Sequence, residues 1–347
     1  METLSTSLDA FTALALQLKS EAVNRTSNAS EARAIMEGAI AKLGPQIAAA
    51  RAFIGADCRL MLLPEYWLTG FPMRESIADW AAKACLAIED PLYDALAAIA
   101  QQHGIFLAGN AYERDPHFPG LYFQNCFVFD PSGTMVLRYR RLNSLYAPTP
   151  HDVWDRYLDH YGLEGIFPVA KTAIGNLAAV ASDEILFPEV SRCLMLRGAE
   201  ILLHPTSEVY GNARAPKEAA KVSRAVENMM YVVSANTAGI ANTPILESSV
   251  DGGSKIIDYR GLVLAETGSG ESMAAYGDID LVALRRYRQR TGVKNLLSRQ
   301  RLDAYAGLYN QFSIYPANTM AADAVERSHF LATQQQAIER LNELGVI

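Results

Sequence analysis

The chain is predicted to be an α/β protein, on three observations. Short apolar runs of strand length recur along it, as at Leu60–Leu63, Ile201–Leu203 and Tyr231–Ala235. Longer segments with helical spacing of their apolar residues separate them, the pattern of alternating strand and helix that builds α/β folds. Half of the 347 residues are apolar and a fifth are charged, enough for a substantial core. That length fits one large domain or two ordinary ones. No linker-like change in composition occurs before about residue 283, so residues 1–283 are expected to form one domain, with 284–347 a helical extension packed on it or on a partner subunit.

Phe11–Leu16 is the first strand candidate. The Ala-rich stretch 29–56 follows, a helix by the spacing of Ile35, Ile40, Leu43 and Ile47. Leu60–Leu63 is continuously apolar, as in a strand covered on both faces, and Pro64 ends it, leaving Glu65 at its C-terminal edge. A helix over 92–103, a strand at Ile105–Ala108 and a strand at Asn125–Phe129 come next, the last stopped by the turn Asp130-Pro131-Ser132-Gly133. Then follow strands Met135–Tyr139 and Leu177–Ala181, helix Pro188–Arg197, strand Ile201–Leu203, helix 216–229 and strand Tyr231–Ala235. Ser254–Asp258 and Leu262–Glu266 read as a hairpin turning at Arg260-Gly261, and 295–310 and 323–344 as tail helices. Residues 143–164 are expected to be an irregular aromatic loop, with Tyr146, Trp154, Tyr157 and Tyr161 lining a pocket.

The net charge of −7 argues against a nucleic-acid partner. The arginines 285, 286, 288 and 290 are interspersed with Leu284 and Tyr287 and read as a solvated helix face. Cys58, Cys85, Cys126 and Cys193 show no paired spacing and sit in apolar surroundings, as buried thiols of a reducing compartment do. Glu2 and Asp9 precede any long apolar run, so no signal peptide is expected, and no stretch approaches the roughly 20 apolar residues of a membrane span. A cytoplasmic protein without membrane partner follows. No Walker A loop, Rossmann glycine fingerprint, paired-His metal spacing or G-x-S-x-G elbow occurs, so no cofactor or metal is expected.

Three positions carry candidate chemistry. Glu65, desolvated by Leu62, Trp67 and Phe71, has the surroundings that raise a carboxyl pKa and suit a general base. Arg141 is a cation able to stabilise an oxyanion. Ser182, between an apolar run and Phe187-Pro188-Glu189, is a strand-end hydroxyl before a helix. By themselves these residues read more readily as a cap or ion-pair carboxylate, a surface cation and a structural serine.

The segments Leu62–Pro72, Tyr139-Arg140-Arg141-Leu142-Asn143 and Ala181–Glu189 resemble the Glu, Lys and Cys motifs of the nitrilase superfamily, the carbon–nitrogen hydrolases. The pattern Arg192 to Glu200, Arg224-x-x-Glu227-Asn228-x-x-Tyr231-Val232 with Ala235-Asn236, and Gly253-Ser254-x-Ile256-Ile257 extend the resemblance to about residue 280. It implies a four-layer αββα sandwich whose subunits pair into a homodimer or larger homo-oligomer. It also implies hydrolysis of an amide, nitrile or carbamoyl C–N bond in a small-molecule substrate, with Glu65, Arg141 and Ser182 as catalytic residues. Arg141 stands where the family has lysine, and Ser182 where it has the cysteine nucleophile.

A serine is far less acidic than a thiol and normally needs a His or Lys base, for which His151 and His204 are the available histidines. The family's second glutamate has Asp152 as its nearest counterpart. Tyr66, Trp67, Tyr146, His151, Asp183, Glu184, His204 and Ser207 are the candidate substrate-binding residues. Three readings of Ser182 stand: an active enzyme of altered chemistry, a family member that binds without catalysis, or a cysteine enzyme changed to serine to trap a complex.

Overall fold

The computed structural model describes residues 10–209, 211–320 and 326–347. Two mixed sheets stack face to face. The first runs in the order Tyr276–Ile279, Phe11–Ala15, Cys58–Leu62, Phe106–Arg114, Phe123–Phe129, Met135–Arg140, with the short strand Leu86–Ala87 added to Phe106–Arg114. The second runs Val263–Glu266, Lys255–Ile257, Tyr231–Asn236, Ile201–Thr206, Gly175–Ala179, Ala170–Thr172. Neighbours Phe11–Ala15, Cys58–Leu62 and Phe106–Arg114 are parallel, as are Gly175–Ala179, Ile201–Thr206 and Tyr231–Asn236. Parallel pairing requires long crossovers, which the helices Ala29–Ile54, Pro91–His103, Pro188–Leu196 and Ala215–Asn228 supply.

Strand parity sorts the core into layers. Leu60, Leu62, Cys126, Val128, Leu137 and Tyr139 pack between the sheets with Leu177, Leu203 and Val233. Met61, Phe127 and Phe129 point the other way, against Met36, Leu43, Leu96 and Ile99 of the first sheet's helices. This is the αββα sandwich expected from the sequence. The long first helix is capped by Asn28, whose side chain accepts the Glu31 amide at 3.0 Å. Its buried face includes the predicted Ile40, Leu43 and Ile47, but Met36 takes the fully buried place expected of Ile35, which is only partly buried.

The stretch expected to be an irregular loop is largely helical. A 3-10 turn spans Pro150–Val153 and a helix spans Trp154–Ile166, broken at Gly162. Pro150 occupies a first-turn position, where its missing N–H costs nothing, and Trp154, Tyr157 and Tyr161 fall on one face at spacings of three and four. Prolines and aromatics read as loop markers were the start signal and inner stripe of a helix. The helix Ile77–Ala84 and the strand Tyr276–Ile279 are additional to the predicted elements.

The arginine cluster is not simply solvated. It lies on the helix Leu281–Gln289, where Arg285 makes a two-pronged pair with Glu200 (2.6 and 2.9 Å) and Arg288 donates to the carbonyls of Met229 and Ala199. Beyond it, the tail helices Leu302–Tyr309 and Ser328–Glu343 bracket a strap that hydrogen-bonds to the body: Asn318 N to His151 O (3.0 Å), Met320 N to Asp152 O (2.8 Å) and Thr319 Oγ1 to Asp152 Oδ1 (2.8 Å). Part of the predicted helix 323–344, residues 323–325, lies outside the described residues. No helix among the described residues is long and apolar enough to cross a membrane.

Candidate active site

Glu65 follows Pro64 at the end of the strand Cys58–Leu62 and is fully buried. Its Oε1 accepts Gln124 Nε2 at 2.5 Å and lies 3.6 Å from Arg141 Nη1, while its buried Oε2 has no well-aligned hydrogen-bond partner among the described residues. Burial pushes the carboxyl above the ordinary range against the opposing charges of Arg141 and Lys217 and the Gln124 hydrogen bond. Parity explains the arrangement. Residues 124, 126 and 128 of the strand Phe123–Phe129 face the inter-sheet layer, so Gln124 reaches Glu65, whereas Asn125 faces outward to Tyr93 and Glu113.

The same rule parts two adjacent arginines. Arg140 points outward, 3.0 Å from Glu113 and 2.6 Å from Asp115, beneath the rings of Phe123 and Tyr161. Arg141 takes the inward side. Its Nε donates to the Asn143 carbonyl (2.6 Å) and its Nη1 to Gln124 Oε1 (2.9 Å). Its Nη2 stands 3.9 Å from Asp183 Oδ2. Two of the three guanidinium nitrogens, Nε and Nη1, are thus fixed on the protein, and Nη2 is left toward Asp183 and the cavity beside it.

Ser182 opens the 3-10 turn Ser182–Leu186 with φ of +53°, in the left-handed region that costs a residue with a β-carbon on the order of 1 to 2 kcal/mol. It is 5% exposed, and its hydroxyl makes no hydrogen bond to another described residue. Two neighbours fix the backbone. Glu184, fully buried, accepts the amides of Leu142 (2.6 Å), Asn143 (2.9 Å) and Ala181 (3.2 Å), tying the Arg141 segment to the Ser182 turn. His204 Nε2 donates to the Ser182 carbonyl (2.9 Å), and its Nδ1 lies 2.9 Å from the Ser234 hydroxyl. Burial, with Lys221 and Lys217 nearby, keeps the imidazole well below its ordinary pKa. With both ring nitrogens engaged on groups other than the Ser182 hydroxyl, His204 positions the serine and is not its base.

A cavity of about 590 Å³ adjoins these residues, lined by Arg141, Asn143, His151, Asp152, Asp183 and Phe187 and, from the tail, by Tyr315 and Gln334. Asp152 is a satisfied carboxylate rather than a free one: it accepts the Thr149 amide (2.9 Å) and hydroxyl (2.8 Å) and binds Thr319. Asp183 forms an ion pair with Lys217 at 2.5 Å. Tyr66, at φ of +60°, is stacked on Tyr112 (6.1 Å), its carbonyl accepts the Ser20 hydroxyl, and its phenol lies beside Glu65 and Arg141, so it belongs to the site. Other candidates lie apart. Trp67 packs in the helix-side core. Tyr146 is half exposed with its carbonyl on Arg327, and Ser207 sits 3.4 Å from the Thr237 hydroxyl. Gln124 and Lys217 are site residues that sequence reading passed over. The inward parity of residue 124 and a cation in the first turn of the helix Ala215–Asn228 were the available signals. Among the described residues no group of three or more His, Cys, Asp or Glu side chains is placed to hold a metal.

The family model of the carbon-nitrogen hydrolases matches residues 12–289. The chain belongs to the carbon–nitrogen hydrolase family. Among curated relatives it is 26% identical over 211 residues to the omega-amidase NIT2 of Homo sapiens, covering 61% of this chain and 73% of that one. It is 28% identical over 260 residues to the nitrilase and fragile histidine triad fusion protein of Caenorhabditis elegans, 74% of this chain but a little over half, 56%, of that longer protein. In fold it is similar to the carbon-nitrogen hydrolase of Helicobacter pylori G27 (TM-score 0.67, 19% identity, 88% of this chain and all of that one). It is likewise similar to Nit3 of Saccharomyces cerevisiae (TM-score 0.63, 19% identity, 81% and 93%). At these identities the solved structures speak for the fold of this carbon–nitrogen hydrolase family member and not for its substrate.

Proposed function

We propose that the chain hydrolyses a carbon–nitrogen bond of a small molecule by acyl transfer to Ser182. The observation that supports this reading is the Ser182 hydroxyl itself, held in a strained left-handed turn, nearly buried, with no hydrogen bond spent on another described residue. Arg141 spans the ground between it and the base, touching Glu65 on one side and Asp183, the next residue after Ser182, on the other. For an amide, the Ser182 O–H proton passes to Glu65 as Oγ bonds to the carbonyl carbon, and the carbonyl π electrons move onto oxygen. Arg141 and the backbone amide after Ser182 stabilise that oxyanion. On collapse the C–N bond breaks and the amine leaves with the proton held by Glu65. Water, deprotonated by Glu65, then releases the acid and restores Ser182. No catalytic step asks Arg141 to give up a proton, which a guanidinium cannot do.

Ammonia or amine release across a panel of amides, nitriles and N-carbamoyl amines tests this directly. Turnover by the chain as it stands, abolished in Ser182→Ala, is the expected result. Turnover unchanged in Ser182→Ala refutes the nucleophile. A second reading, binding without hydrolysis, is favoured by one feature: Arg141 and Asp183 line the 590 Å³ cavity, whereas Glu65 and Ser182 do not. Turnover that appears only in Ser182→Cys would select it, or a trapped cysteine enzyme. A homodimer or larger assembly belongs to the same proposal, and sedimentation at micromolar concentration checks it.

A further inference from the structure

We propose that Lys217 is a substrate-binding residue of this site, sharing with Arg141 an anionic group of the substrate at the place Asp183 now fills. The inference rests on the active-site reading above and deepens it. Asp183 is the exposed member of a cation–carboxylate–cation bridge: its side chain is 57% exposed, while those of Arg141 and Lys217 are 8% and 14% exposed. One carboxylate oxygen, Oδ1, lies 2.5 Å from Lys217 Nζ, and the other, Oδ2, lies 3.9 Å from Arg141 Nη2. Two partly desolvated positive charges therefore converge on one carboxylate, and that carboxylate lines the cavity.

Ordinary helix energetics do not account for the lysine. It stands in the first turn of the helix Ala215–Asn228, the end at which the macrodipole disfavours cations. Burial works against the charge on Asp183, but Lys217 and then Arg141 hold its carboxyl below the ordinary range, so Asp183 is a resident anion at neutral pH. The bridge is also lopsided. Arg141 meets Asp183 only at 3.9 Å, beyond hydrogen-bond reach, while the rest of its guanidinium is fixed on Gln124 and the Asn143 carbonyl. A free carboxylate entering from the cavity is not tethered to residue 183 and can satisfy both cations, with Asp183 turning outward to water. The substrate class implied is a C–N compound carrying a separate carboxylate or similarly sized anion, as opposed to a neutral amide or nitrile.

The experiment is isothermal titration of the full chain with succinate and with succinamide, its neutral isostere, for the unaltered protein, Lys217→Met, Lys217→Arg and Asp183→Asn. Succinate should bind the unaltered protein and weaken in Lys217→Met by about tenfold, the loss of one charge-assisted hydrogen bond. It should recover in Lys217→Arg and tighten in Asp183→Asn, where the resident competitor is neutral. Succinamide binding should be indifferent to all three changes. Equal succinate affinity with and without Lys217, weaker binding in Asp183→Asn, or no succinate binding to either the unaltered protein or Asp183→Asn overturns the proposal. Because the readout is binding, a chain that takes up succinate as predicted and releases no ammonia refutes hydrolysis while leaving this assignment intact.

Discussion

Replacing Glu184 by alanine should destabilise the protein by about 1 to 3 kcal/mol. Its carboxylate is the common acceptor of three main-chain amides, those of Leu142, Asn143 and Ala181. Alanine leaves all three donors without a partner, and each buried orphan costs about 1 to 3 kcal/mol. Full addition would give roughly 3 to 9 kcal/mol, but Leu142 and Asn143 border the 590 Å³ cavity, from which water can enter and hydrate two of the three donors. Removing a buried charge also recovers part of its desolvation cost, since burial already pushes this carboxyl above the ordinary range. About 1 to 3 kcal/mol remains, the cost of the one donor still without a partner. Equilibrium urea unfolding of the variant measures it, with Glu189→Ala as the control, because Glu189 takes a single exposed hydrogen bond from Tyr309. A loss below about 1 kcal/mol for Glu184→Ala, indistinguishable from the control, would refute the claim that this side chain joins the Arg141 segment to the Ser182 turn.

If Glu65 is the base, its raised pKa means that activity should fall on acidification at a higher pH than an exposed glutamate would dictate, and a kcat/KM profile from pH 4 to 8 reads that limb. His204 is held neutral in the folded state, so stability is full above the unfolded pKa near ~6.5 and falls as pH drops below it, by up to about 1.4 kcal/mol per unit. His204→Gln should flatten that slope in urea titrations at pH 7 and 5. Arg140→Met leaves Glu113 with Arg138 as its one remaining cation among the described residues and Asp115 with only neutral donors, and should cost about 3 kcal/mol by the same method. Gly70 has φ of +72°, and a β-carbon there would meet the Ala22 β-carbon at 2.5 Å, so Gly70→Ala should lower stability by about 2 kcal/mol or more, a loss that a thermal melt detects.

The sandwich was legible because buried parallel strands leave continuous apolar runs and their crossovers leave helical stripes. Leu60–Leu63 and Tyr231–Ala235 announced themselves in this way. The helix Trp154–Ile166 did not, because aromatic residues at positions 154, 157 and 161 carry both helical periodicity and loop composition. At the site, the carboxylate, the arginine and the serine were visible from their motifs. Gln124 and Lys217 were not, because their roles come from register and from the approach of another segment. The Gln124 side chain matters only once residues 124 and 65 share a layer, and Lys217 only once its helix meets the turn after Ser182. For His204, sequence left pocket wall, base and buried polar residue open. Two hydrogen bonds, neither to the Ser182 hydroxyl, decide for the last.

The strand Phe11–Ala15 lies between Cys58–Leu62 and Tyr276–Ile279, with Phe11 paired to Ile279. One of its edges is therefore covered by chain made almost at once, and the other by chain made more than 260 residues later. At about 5 to 20 residues per second of synthesis, that edge waits on the order of tens of seconds on the ribosome before its partner exists. During that interval the nascent protein presents the apolar run Phe11, Ala13, Leu14, Ala15 with open hydrogen bonds along one side, a template for pairing with another nascent chain. Yield in a cell should then depend on translation rate and chaperone supply more than on the stability of the finished fold.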